Sequence, residues 1–104
     1  MPTVYITAPP EHAPGLAESL VANRYAACVN QLPCTSTYRW EGEIVEDAEV
    51  VLIAKTSEDR YDALVEHVLA EHPHDVPCIE RFDETSVIAE YAAWRDSETA
   101  GDVL

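Results

Sequence analysis

The sequence predicts an α+β domain of the split βαβ kind: an antiparallel sheet, both main helices on one of its faces, a long central hairpin and an extra helix at the C-terminus. Three observations predict it. The 104 residues suffice for one hydrophobic core and no second domain, so residues 1–104 are read as a single unit. Apolar residues alternate along strand-like segments and recur at helical spacing in the segments between them. A short turn at Glu41-Gly42-Glu43 ties two of the strand segments into a hairpin. The resulting order is β-α-β-β-α-β-α.

Taken in order, Val4 and Ile6 alternate with Thr3, Tyr5 and Thr7 between Met1 and the stop at Pro9-Pro10, which is a strand. Pro14 and Gly15 open a helix whose buried stripe is Ala13, Leu16, Ala17, Leu20 and Val21, and Asn23 ends it. Ala26 to Trp40 is rich in β-branched, aromatic and cysteine residues, with Cys34, Ser36, Tyr38 and Trp40 on one face and Pro33 interrupting as a bend or bulge. Ile44 to Thr56 returns as its partner. Ser57 caps the next helix, Glu58 and Asp59 suit its positive end, and Tyr61, Leu64, Val65, Val68 and Leu69 point inward. His72-Pro73 terminates this helix, because the residue before proline is pushed out of the helical region. Pro77 to Phe82 supplies one more strand. Thr85 or Ser86 caps a last helix carrying Ile88, Tyr91, Ala92 and Trp94, after which Ser97 to Asp102 is polar and frayed.

Acidic residues number 20 against 6 basic ones, a formal charge of −14. Such a field repels nucleic acid and anionic lipid, so neither is an expected partner. Lys55 is the only lysine, the other cations being Arg24, Arg39, Arg60, Arg81 and Arg95. A chain this negative repels itself unless counter-ions screen it, and at molar salt the Debye length is about 3 Å. The composition therefore suits a halophilic protein in a salt-rich cytoplasm, ordinary acidic solubility being the blander reading. With no apolar leader and no run approaching roughly 20 apolar residues, the expectation is a soluble, unexported protein with no membrane partner. Cys28, Cys34 and Cys78 are an odd set without C-x-x-C spacing, so reduced and mostly buried thiols are expected. No phosphate loop, nucleophile elbow or H-E-x-x-H motif is present, and the protein is read as a binder, not an enzyme.

The hairpin implies partners. A strand rises about 3.3 Å per residue, so Ala26–Trp40 would extend to about 50 Å, against about 34 Å for the width of a globule of this size. The run Val50, Val51, Leu52, Ile53, Ala54 puts apolar side chains on both faces, and the helices cover only one. A closed ring of copies would cover the second face and remove the exposed edge, which predicts a cyclic homo-oligomer, a trimer for preference; the alternative is a hairpin bent back over its own core.

Ala27-Cys28-Val29-Asn30, Ser36-Thr37-Tyr38-Arg39-Trp40-Glu41-Gly42, Glu49 through Lys55-Thr56, His72-Pro73, Pro77, and Tyr91 with Trp94 together resemble the CutA divalent-cation-tolerance family. The likeness runs from Thr7-Ala8-Pro9 to Trp94. It implies a ferredoxin-like fold, a homotrimer with strands paired between subunits, a cytoplasmic home, association with divalent cations, copper foremost, and a likeness of fold to the PII signalling proteins. A copper-binding cysteine placed in the first strand of some members is replaced here by Ile6, so that site does not transfer.

The candidate metal ligands are His72, His74 and Asp75, because imidazole with nearby carboxylate suits copper, nickel or zinc. His72 matches the family's usual His-Pro-Tyr, and His74 departs from it. His72 has a second reading, as a helix C-terminal imidazole bonding the last free carbonyls. Cys28 and Cys78 are softer candidates for Cu(I), with buried strand cysteines the commoner case. Lys55, Tyr38, Trp40, Glu49, Tyr91 and Trp94 make a candidate polar pocket between subunits, although Lys55 with Glu49 would serve equally as a structural ion pair and the two helix aromatics as packing. Two functions follow: a trimeric divalent-metal binder with a homeostatic role, and a PII-like signalling or scaffold trimer that holds a small ligand or partner protein in clefts between subunits.

Overall fold

Val4, Ile6 and Ala8 are fully buried along β1 (Pro2–Ala8), whereas Thr3, Tyr5 and Thr7 are half-buried, so the first strand already separates a core face from an open one. The computed structural model describes residues 2–100. After β1 come α1 (Ala13–Ala22), β2 (Cys28–Trp40), β3 (Glu43–Lys55), a 3₁₀ turn at Glu58–Arg60, α2 (Tyr61–Glu71), β4 (Ile79–Asp83) and α3 (Ala89–Glu98). Met1, assigned above to the first strand, and Gly101 and Asp102, assigned to a frayed end, lie outside the described residues.

The four strands form one antiparallel sheet in the order β2-β3-β1-β4, the arrangement of a split βαβ unit. Leu52 and Ala54 of β3 join Val4 and Ile6 on the core face, where Leu16 and Leu20 of α1 and Leu64 and Val68 of α2 cover them. Val51 and Ile53 point the other way and are only half-buried. The helix stripes are narrower than the spacing predicts. Val21 and Leu69 are 42% and 53% exposed, because each lies one residue, about 100°, beyond the last core position, Leu20 or Val68.

β1 pairs with β3 only from Val50 to Lys55, while β2 and β3 pair without interruption from Cys28↔Lys55 to Trp40↔Glu43. The stretch beyond Val50 is therefore a two-stranded ribbon leaving the sheet, and the molecule measures 46 × 30 × 20 Å, with a radius of gyration of 14.5 Å against about 13 Å for a compact chain of this length. Glu41 and Gly42 have φ of 50° and 82°, the signature of a two-residue type I′ turn, whose twist matches that of the strands. No bulge occurs at Pro33, which pairs with Val50 in register. β2 is an edge strand, where a missing N–H is tolerated.

Two capping expectations are corrected. Ser57 precedes the 3₁₀ turn and makes no side-chain cap, its hydroxyl instead accepting from Thr99 at 3.1 Å. α3 starts at Ala89, after an extended Ile88, and not at Thr85 or Ser86. Its buried residue is Arg95, 1% exposed and 2.8 Å from Glu84, whereas Ile88 and Trp94 are 70% and 44% exposed. This ion pair folds α3 back toward the end of β4, and residues 85–88 serve as the turn that permits it. Ser97 and Glu98 belong to the helix, and Thr99 is buried against Ser57.

Candidate functional site beside the ribbon

Side chains in β2 and β3 change face with every residue, so Tyr38 and Trp40 share one face of the ribbon with Asp47 and Glu49. Where the ribbon leaves the sheet, this face meets the segment between α2 and β4. Thr7, Tyr38, Trp40, Glu49, His74, Asp75, Val76 and Cys78 line a cleft of about 570 Å³ there. The structure thus joins three of the residues expected in a pocket with two of those expected to ligate metal.

The cleft wall depends on His72. Pro73 holds His72 in extended backbone at φ −74°, ψ 139°, which ends α2 and returns the imidazole toward β1. The ring is buried, with Nε2 2.8 Å from the Thr7 carbonyl and Nδ1 accepting the His74 backbone N–H at 3.1 Å. Because Nδ1 accepts, Nε2 carries the hydrogen and donates to Thr7. Both nitrogens are occupied, and neither has a lone pair to offer a cation. The carbonyl that His72 bonds belongs to β1 and not to the end of α2. His74 and Asp75, both exposed, are left facing the cleft.

Tyr38 donates its hydroxyl to Asp47 two positions along the partner strand, and this bond raises the phenol above its ordinary range. Cys78, expected in a buried strand position, is exposed at the cleft just before β4, and Cys28 and Cys34 are half-buried. Partial burial of the sulfur, then the nearby Glu80, push the Cys78 thiol up, which lowers its thiolate fraction.

Lys55 stands at the other end of β3, opposite Cys28 and Thr3, six residues and about 20 Å from Glu49, too far for an ion pair within one chain. Tyr91 and Trp94 pack on each other with ring centroids 5.5 Å apart, and Tyr91, raised mainly by burial, lies toward Cys28. Within one chain the six pocket residues therefore fall into two groups, Tyr38, Trp40 and Glu49 spread along one face of the ribbon from its root at Glu49 to its tip at Trp40, and Lys55, Tyr91 and Trp94 toward the far end of the sheet. Thr7, Asp47 and Val76 were not singled out by the sequence. Only the diagonal offset of a hairpin register points to Asp47.

A test of the donors against a divalent cation is negative for a single chain. Glu49, His74 and Asp75 are suitable donor types, but among the described residues no three His, Cys, Asp or Glu side chains converge on one point. No described helix is long and apolar enough to cross a membrane.

A four-stranded antiparallel sheet carrying helices on one face and an aromatic, acidic cleft beside an overhanging ribbon defines an α+β protein of CutA-like and PII-like fold. The solved structure titled PII-like protein CutA from Nostoc sp. PCC 7120 superposes with a TM-score of 0.92 at 32% identity, over 95% of this chain and 97% of that one. The family profile described as CutA1 divalent ion tolerance protein matches residues 2–98. The divalent-cation tolerance protein CutA of Thermus thermophilus is 44% identical over 98 residues, 92% of this chain and 95% of the relative. The crystal structure of CutA1 from Pyrococcus horikoshii superposes with a TM-score of 0.91 at 41% identity, over 95% and 98% of the two chains. The chain belongs to the CutA1 divalent ion tolerance family.

Proposed function

We propose that this chain works in the cytoplasm as a homotrimer that binds a divalent cation, copper foremost, in a metal-homeostasis role, and that it binds without catalysing a reaction. One observation carries the reading: among the described residues the ribbon beyond Val50 pairs with no further strand, and Val51 and Ile53, on the face away from α1 and α2, are only half-buried. Neighbouring copies would cover both. The donor set of His74, Asp75 and Glu49 in one chain is incomplete, so metal uptake would need donors supplied by a neighbouring copy, and His72 would serve as the buried support that holds the segment in place.

The test is sedimentation of untagged protein in molar KCl, followed by calorimetric titration with Cu²⁺ and Zn²⁺. The expected result is a species of three times the 11.5 kDa chain mass that takes up metal at micromolar levels and loses uptake in His74→Ala. A monomer would overturn the assembly, and a trimer without uptake would overturn the metal role. The second reading, a PII-like trimer that binds a small ligand or partner protein, draws support from the size of the cleft, which lies within the roughly 300–1,000 Å³ of small-molecule sites.

A further inference from the structure

Ser19 of α1 and His67 of α2 face each other across the seam between the two helices, with Ser19 Oγ 2.5 Å from His67 Nε2. Both helices lie on the core face of the sheet, opposite the face bearing Val51 and Ile53, and neither residue lines the cleft beside the ribbon. The pair is therefore clear of the surfaces that neighbouring copies would cover. Both side chains are half-buried, and the helices already pack through Leu16, Leu20, Leu64 and Val68 beneath them. The Tyr25 ring holds the imidazole from a second side, with 5.0 Å between centroids. Tyr25 is fixed in turn by the Arg60 guanidinium 5.0 Å from its ring centroid and by Thr56, whose hydroxyl donates to the Tyr25 carbonyl at 2.6 Å. A hydroxyl bonded to a base, and the base oriented by a third group, is the arrangement that activates a nucleophile.

Gly15 lies one turn before Ser19 on the same side of α1. A helical side chain leans over the turn that precedes it, and a Cβ at Gly15 would meet no atom within 4 Å. Nothing steric asks for glycine here, where it weakens the helix relative to alanine. Its effect is to leave the Ser19 hydroxyl open to approach.

We infer that Ser19 is a site of covalent acylation, with His67 as general base and an activated ester or thioester as the acyl donor. In the tautomer with its hydrogen on Nδ1, His67 takes the hydroxyl proton at Nε2 as Ser19 Oγ adds to the donor's carbonyl carbon. The bond from that carbon to the leaving oxygen or sulfur then breaks, and the proton passes from Nε2 to the departing alkoxide or thiolate. The products are O-acylated Ser19 and a free alcohol or thiol. Backbone N–H groups around Ser19 are engaged within the helix and cradle no oxyanion, so the donor must carry a good leaving group and a single transfer, not turnover, is expected. The site depends neither on assembly nor on metal.

The full-length protein treated with p-nitrophenyl acetate tests it, with nitrophenolate release followed by absorbance and the product mapped by mass spectrometry. An acetyl group is expected on Ser19, formed about 100-fold faster than on the other serine hydroxyls. His67→Gln should slow Ser19 acetylation by about 100-fold, and Ser19→Ala should remove the fast phase of release. Gly15→Leu, which fills the approach, should slow the reaction severalfold while raising the melting temperature. All three replacements favour the helix, so a lost reaction is not a lost fold, which circular dichroism checks. An unacetylated Ser19, an unchanged rate in His67→Gln, or a fast phase that survives in Ser19→Ala would overturn the site.

Discussion

Replacing His72 by alanine leaves the Thr7 carbonyl without its donor and the His74 N–H without its acceptor, in a position that is 8% exposed. The expected cost is about 1–3 kcal/mol in urea denaturation, whereas His74→Ala, at the exposed neighbour, should leave stability within about 0.5 kcal/mol of the parent. An equal loss in both variants would contradict the division of roles between the two imidazoles. Arg81 supplies a pH-dependent contribution of another kind. Its guanidinium donates to Glu58 at 2.6 and 3.1 Å and to Asp83 at 2.8 and 3.0 Å, and lies 4.8 Å over the Tyr61 ring. These bonds hold both carboxyls below their usual range. A depressed folded value means that the stabilisation is complete above the ordinary carboxylate pKa, about 4, and is lost as pH falls through the lower folded values. Both carboxylates are open to solvent, so the contribution is modest. The stability gap between the parent and Arg81→Met should therefore be larger at pH 7 than at pH 3 in chemical denaturation, and a gap that does not change with pH would refute the assignment.

Elements whose signals are local were legible in the sequence. The hairpin follows from alternation on either side of a glycine turn, and the end of α2 follows from His72-Pro73. The turn also yields a prediction. Glu41 occupies a left-handed conformation at φ 50° that asparagine adopts with less strain, so Glu41→Asn should stabilise the protein by about 0.5–1 kcal/mol, and Gly42→Ala should cost about 1 kcal/mol, both read from thermal melts. The end of α1 hides the same strain. Asn23 closes the helix as expected, but the following residue, Arg24, takes φ 61° while its N–H reaches the Val21 carbonyl and the Tyr25 N–H reaches the Leu20 carbonyl. Glycine normally marks this ending, and its absence left nothing to read. The start of α3 was illegible for a different reason. It is set by Arg95 reaching back to Glu84, a long-range ion pair, and Thr85 and Ser86 resemble caps without acting as such.

For the whole molecule, the charge of −14 bears on both folding and assembly. Glu41, Glu43, Glu46, Asp47 and Glu49 lie on or beside the ribbon, with Arg39 its only basic residue, so assembly through the ribbon would bring like charges together. Both the melting temperature and the fraction assembled should rise between 0.1 and 2 M KCl, measured by differential scanning fluorimetry and sedimentation, in keeping with the fall of the Debye length to about 3 Å near 1 M. A melting temperature indifferent to salt would remove the case for a salt-adapted surface. The overhang could be deduced from strand length alone, because extended chain outruns the diameter of a small globule. The separation of Lys55 from Glu49 follows in the same way, six residues along one strand spanning about 20 Å although the two share a face. The meeting of the ribbon face with His74 and Asp75 could not be deduced, since alternation tells which face a side chain takes but not which distant segment packs beside it.

The uninterrupted register of β2 and β3 makes reach and sidedness separable properties of the ribbon. Deleting one residue from a single strand would invert every side chain between the lesion and the tip, whereas excising two from each strand keeps all facings and shortens the projection by about 7 Å. The arm is thus a vernier: its span can change in steps of that size, and with it the curvature of any ring it closes, while every remaining side chain keeps its facing.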